Sequence, residues 1–510
     1  MTPTAHPNRR DLLTALLAVG TAPAFIRHAR AADAPRFPLG VASGWPRPDG
    51  MVLWTRLMGP DLPERVEVQW ELAHDAAFSR VAARGTEVAE AAWAHSVHAE
   101  PAGLEPGREY WYRFRALGQA SPGGRTRTAP AAGDRNPALR FSIASCQRWD
   151  TGHWAAWRDV AEDAPDLVLF LGDYIYETAS PRDAPRRHRG GLLQTLADYR
   201  DRYAQYKEDP LLQAAHAAAP WLLVWDDHEV ANDYAGEHEG SRSYPDFAAL
   251  RRVAAQAWWE HQPLPRAVRP TDGRIRVHGH LDWGSLARFL LLDDRQHRDA
   301  QVCPPPGRGG SNTVRVSECP SLLDPSRTLL GAAQERWLAE HWSVQHGWNL
   351  VAQQTLMARM TWEDPAVGGG RYWTDGWDGY PAARKRLLGA AAERRAPGVV
   401  VLGGDVHANY VADLRADFDD ERSPVVASEF CGTSISSRGL AQARLDAALP
   451  LNPHIHWGRS DQRGTVRFRV EGQDLSAELR VVDDPMDPAS RVRTEARFRV
   501  DSRRPGVLRG

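Results

Sequence analysis

The chain has 510 residues, of which 42% are hydrophobic and 25% charged, and its formal net charge is −2. That length exceeds one ordinary core and points to two domains. The composition excludes global disorder, and the near-neutral charge excludes a basic nucleic-acid-binding surface as the main function.

The first recognisable element is NRRDLL (Asn8–Leu13), followed by the apolar stretch LTALLAVGTAPAF and then ARAAD. A twin arginine, a short apolar region and a small-x-small site describe a twin-arginine export signal over residues 1–31, cleaved after Ala31. The reading implies the twin-arginine export machinery as a partner and a periplasmic or secreted location. The apolar stretch is too short to span a bilayer, and no later segment reads as a transmembrane helix. This route carries proteins already folded, which suits a metal loaded inside the cell.

Residues 36–130 read as β: MVLWTRL, VEVQWEL and YWYRFRAL alternate apolar and polar residues between turn-rich pieces. The spacing predicts an all-β sandwich domain. APAAGDRNPA is a linker by composition. From Leu139 the apolar strands RFSIAS, DLVLFLG, WLLVWDD, LARFLLLDD, WNLVAQQT and GVVVLGGD alternate with helical stretches such as DFAALRRVAAQAWWEHQ and AAQERWLAEHW. Alternation of that kind predicts an α/β domain over 139–505 with a largely buried sheet. The stretch around 300–325 has no periodicity and reads as a surface loop. Cys303 and Cys319 lie in it, placed either to pair in an oxidising compartment or to remain thiols. GTVRFRVEG, LSAELRVVD and TEARFRVD close the chain as strands.

Four of the predicted strands stop in metal-ligand residue types: Cys146 after RFSIAS, Asp173 and Tyr176 after DLVLFLG, Asp226–Asp227–His228 after WLLVW, and Asp405 with His407 after VVVLGG. One aspartate after a strand is ordinarily a helix cap or turn residue. Four such endings in chain order point to one site instead. Carboxylates crowded together raise one another's pKa, and cations remove that penalty. A pair of metal ions can clamp a phosphate, acidify a water and stabilise a leaving oxygen.

FSIASCQ, GDYIYE, WDDHEVANDY, LLDDRQHRD, GGDVHAN and EFCGTSISS together resemble the PhoD-like alkaline phosphatase and phospholipase D family, over almost the whole chain. The resemblance implies an α/β (α+β) metallophosphoesterase-type β-sandwich flanked by helices, behind an N-terminal sandwich. It implies Fe3+ and Ca2+, with Zn2+ or Mn2+ as alternatives. Cys146 and Tyr176 would bind the ferric ion and Asp173 would bridge iron and calcium. Asp405 and His407 would belong to the same cluster, with Asp227 a further ligand. Asp417, or Asp419, would complete a second calcium site. His228 would face the phosphate with Asn232 nearby, and Arg295 would contact a phosphate oxygen or orient Asp293.

The expected function is an exported, metal-dependent phosphoesterase of alkaline phosphatase type. It would hydrolyse phosphate monoesters, diesters or both by attack of a metal-bound hydroxide. The alternatives are a phospholipase D-type phosphodiesterase and, from another class, an extracellular binding protein using its 20 tryptophans. Two departures stand out. Cys431 replaces an apolar residue in EFCGTS, and the C-terminus shows none of the helical pattern that family members can carry over the active site.

Overall fold

The computed structural model describes residues 35–134, 138–240, 244–420 and 422–510; the expected export signal lies outside them. Two large sheets dominate. One has ten strands, and its centre is a parallel trio: Ala138–Ala144, Leu167–Leu171 and Pro220–Val224. The other has seven, built on the parallel strands Ala287–Leu291, Trp348–Ala352, Val399–Gly403 and Val425–Cys431.

The sheets share one core, in which Phe141 stacks on Phe468 at 4.6 Å and meets Phe289 edge-on at 5.6 Å. The period-two rule of strands decides which side chains enter it. Val400 and Leu402 face this inter-sheet core, whereas Val399 and Val401 face a second apolar cluster under the helices Gly331–His341 and Pro381–Glu393. Both faces being buried explains why these strands read as unbroken apolar runs. The fold is thus mixed α/β. Trp157, Tyr203 and Trp258, on helices Ala156–Asp163, Leu196–Lys207 and Phe247–His261, join the same core from the ten-stranded sheet.

The front of the chain, residues 36–130, is all β, but it is not a free-standing pair of sheets. Val41–Arg47 pairs in parallel with Pro220–Val224, extending the ten-stranded sheet, and Gly50–Arg56 and Ser96–Ala99 continue it to the edge. A separate five-stranded sheet, which includes Arg65–Ala73 and Glu109–Ala116, closes over those strands around Met51, Leu53, Val68, Tyr112 and Phe114. Alternating strands look the same in sequence whichever sheet they join, so this continuity was not legible there.

The insert around 300–325 is more than surface. It is stapled by the Cys303–Cys319 disulfide, and its strand Thr313–Arg315 pairs with Arg371–Trp373. The chain closes in a strand, Arg504–Arg509, on the edge of the ten-stranded sheet. Among the described residues no helix is long and apolar enough to cross a membrane.

Candidate active site

The parallel strands of both sheets end at one place, and the turns there are sharp. Cys146, Asp173, Asp405 and His407 all take left-handed backbone conformations, with φ of 57, 59, 62 and 54°. For residues with a Cβ that costs about 1–3 kcal/mol each, a strain that concentrates at functional sites. Gly172 has φ 107°, and a Cβ there would meet the Asp226 Cβ at 2.4 Å, so only glycine lets these two strand ends approach.

Buried polar side chains tie the ends together. Glu229 accepts the backbone N–H groups of Asp173 at 3.0 Å and Asp226 at 2.8 Å. Gln354 donates to the carbonyls of Trp225 and Leu292, linking the two sheets.

On this frame the acidic groups converge. Cys146, Asp173 and His407 each bring a ligand atom within 4.8 Å of the others. So do Asp173, Asp227 and His228; Asp226, Asp227 and Asp405; and Asp227, Asp233 and Asp375. Asp173 and Asp227 each belong to more than one set, so the sets form one continuous cluster. Tyr176 joins it through its hydroxyl, which donates to Asp173 Oδ2 at 2.7 Å and lies 3.4 Å from His407 Nε2.

Four buried carboxylate oxygens in the cluster have no hydrogen-bond partner among the described residues: Asp173 Oδ1, Asp226 Oδ2, Asp227 Oδ1 and Asp405 Oδ2. Buried polar atoms are normally paired. Burial, then like charges, pushes Asp173 and Asp405 far above the usual carboxylate range, although His228 and Arg295 oppose it. Burial also lifts Asp226 to about 6, although Arg295 opposes it. Asp227 goes the other way: burial is outweighed by Arg295 and His228. Unpaired oxygens, thiol, phenol and imidazole in one buried cluster fit metal cations, with hard oxygen donors on one side and soft or phenolic donors on the other.

His228 is fixed from behind. Its Nδ1 lies 2.6 Å from Oε2 of the fully buried Glu177, whose Oε1 accepts the Asn232 backbone N–H at 3.1 Å. Burial pulls the imidazole down, but Glu177, then Asp173 and Asp227, hold it well above the usual histidine range. His228 and Asn232 both line a cavity of about 370 Å³ that also contains Asp173, Asp227, Asp405 and His407.

Arg295 and Asp417, both expected in the site, do not line this cavity. Arg295 is 1% exposed and is not on the cavity wall; its guanidinium bonds Asp226 and lies 2.8 Å from Asp375. Only its backbone N–H reaches Asp293. It is therefore a counter-charge among the carboxylates, its guanidinium also lying 3.7 Å from Asp227 and 4.0 Å from Asp405. Asp417 is also apart from the cluster. Strand Asn409–Arg415 runs away from the site, and seven residues carry the chain about 23 Å. Asp417 there pairs with Lys385 at 2.6 Å on the rim of a separate cavity, and Asp419 pairs with Arg359.

Sequence reasoning missed Asp233, Asp375 and Glu177. Asp233 and Glu177 sit in motifs already singled out, WDDHEVANDY and GDYIYE. Asp375 follows the three-residue strand Arg371–Trp373, too short to register as an element.

Comparison with known proteins gives the chain a family. Residues 141–479 match the family model described as "PhoD-like phosphatase", and residues 20–130 match "PhoD-like phosphatase, N-terminal domain". Alkaline phosphatase D of Bacillus subtilis (strain 168) is 41% identical over 479 residues, covering 91% of this chain and 80% of that protein. A solved structure titled "Structure of PhoD" superposes with a TM-score of 0.87 at 38% identity, over 94% of this chain and 92% of that one.

Proposed function

The chain belongs to the PhoD-like phosphatase family and is a phosphatase, and from that premise we propose that it is an exported, metal-dependent phosphoesterase acting on monoesters, diesters or both. The observation that carries the metal reading is the cluster of four buried carboxylate oxygens without hydrogen-bond partners among the described residues. In this reading the two facing sheets are a metallophosphoesterase-type β-sandwich behind an N-terminal sandwich domain, and NRRDLL directs twin-arginine export.

Cys146, Tyr176, His407 and Asp173 are the donors suited to a ferric ion, since thiolate and phenolate are established iron ligands. Asp226, Asp227, Asp233, Asp375 and Asp405 offer the oxygen donors that suit calcium. When bound, such cations lower the pKa of water and neutralise charge developing on a phosphoryl group.

The remaining work falls to the protein. Glu177 fixes His228 with its Nδ1–H toward the carboxylate. Its charge keeps the ring protonated, so Nε2–H is the donor available to the departing ester oxygen. Asn232, on the cavity wall, supplies polar contact to a non-bridging phosphate oxygen. Arg438, exposed at the lip, attracts the anionic ester. Arg295 pairs with Asp226 and Asp375 and holds them in place.

The test is hydrolysis of 4-nitrophenyl phosphate and bis(4-nitrophenyl) phosphate by protein purified without chelator, with elemental analysis of the same sample. Iron and calcium should be present, EDTA should abolish hydrolysis, and Tyr176→Phe should remove a visible absorption band together with the iron. Hydrolysis indifferent to exhaustive chelation would overturn the metal reading.

A further inference from the structure

Two cavities open from one ridge formed by His228, Asn232, His407 and Arg438, which line both. Under the phosphoesterase reading, the phosphoryl group sits at this ridge, so the organic part of the ester enters one branch or the other. The larger branch, about 600 Å³, is polar and includes Arg148, Asp150 and Asp183. The smaller, about 370 Å³, has a different far wall: Trp362, Trp373, Leu356 and Met360.

That wall is rigid and aromatic. Thr313 pairs with Trp373 across the small sheet held by the disulfide-stapled insert. The Trp362 backbone N–H donates to the Arg371 carbonyl at 2.9 Å, and the Arg444 guanidinium lies 4.9 Å from the Trp362 ring centroid. Both indoles are half-buried, and Trp373 belongs to none of the described apolar clusters. Its position therefore serves the cavity and not the core. Pre-positioned aromatic side chains bind with little loss of conformational entropy. The volume lies near the lower end of the about 300–1,000 Å³ typical of small-ligand sites, which suits one planar group and not a pair of long acyl chains.

We propose that Trp362 and Trp373 form the specificity subsite for the organic part of the ester and that they select a planar aromatic substituent, aryl or heterocyclic, over an alkyl one. This deepens the phosphoesterase reading and rests on it.

The test is competitive inhibition of 4-nitrophenyl phosphate hydrolysis by the metal-loaded enzyme, comparing phenylphosphonate, methylphosphonate and inorganic phosphate. Phenylphosphonate should bind at least about tenfold more tightly than methylphosphonate, in line with aromatic stacking elsewhere. Trp373→Ala and Trp362→Ala should each bring that ratio toward about two while leaving the inorganic phosphate Ki within twofold. Trp373→Phe should keep most of the preference, which separates stacking from general disruption. A ratio near one in the unaltered enzyme, or a ratio that survives both alanine substitutions, overturns the subsite. Failure to hydrolyse any ester and to bind inorganic phosphate sinks the underlying reading instead.

Discussion

Glu177 Oε2 lies 2.6 Å from His228 Nδ1, and the same carboxylate accepts the Asn232 backbone N–H through its other oxygen. One fully buried acid therefore positions two of the polar groups that line the cavity.

Glu177→Gln should lower kcat by about 10–100-fold while KM changes by less than about threefold, because the group acts through His228 and not on the substrate. The sign in pH follows from the charge. Glu177 is the largest favourable contribution holding His228 protonated against burial. Activity that needs the imidazolium is lost as pH rises through its pKa, so the variant should lose its alkaline limb at lower pH. A pH profile of kcat checks this; an unshifted limb refutes it.

The crowded carboxylates make a second prediction. Asp226 is lifted to about 6 and Glu229 to about 7, both by burial first, and Asp173 and Asp405 are lifted further. An acid whose folded pKa is raised contributes stability that is complete below its unfolded pKa and lost as pH rises through the folded one. Chelated protein should therefore lose stability from about pH 4 to pH 7, by about 1.4 kcal/mol per pH unit per titrating group. Asp173→Asn should flatten that slope. Metal-loaded protein should show little of it. Thermal unfolding at stepped pH, with and without EDTA, measures all three.

The Cys303–Cys319 disulfide closes a loop that reaches the site. Ser311 inside it donates to Asp233 Oδ2 from its backbone N–H at 3.0 Å and its hydroxyl at 2.7 Å. With a sequence separation of 16, a loop of this size is worth about 3 kcal/mol through the unfolded state. Reduction, or the double substitution Cys303→Ser with Cys319→Ser, should lower Tm and reduce kcat several-fold. Unchanged activity after verified reduction would show that Asp233 needs no such support.

Asp417→Ala gives the opposite expectation. Its exposed pair with Lys385 is worth less than about 1 kcal/mol, and it lies outside the carboxylate cluster. Metal content and kcat should stay within about twofold of the parent. A lost equivalent of calcium would restore the assignment the family resemblance implied.

The contrast between Asp405 and Asp417 shows what the sequence carries. Asp405 follows VVVLG, a strand buried on both faces, and such strands announce themselves as apolar runs whose ends are easily counted. Asp173 and Asp227 were legible for the same reason. Asp417 follows an antiparallel strand, and distance along the chain there is distance away from the site. Asp233 and Asp375 belong to loops, where no periodicity marks position. Arg295 was visible as a charge, but only folding shows which acids it pairs with. Helix Leu196–Lys207 went unread because tyrosines and charges are mixed around it without a clean apolar stripe.

The parallel pairing of Val41–Arg47 with Pro220–Val224 has a consequence for how such a polypeptide can be divided. A fragment beginning after residue 130 would carry Pro220–Val224 as an unpaired hydrophobic border, the kind that recruits other copies into aggregates. The front segment is thus not a cassette to be deleted or exchanged. Gene fusions and expression trimming have to respect a seam that runs through a ladder of main-chain amides.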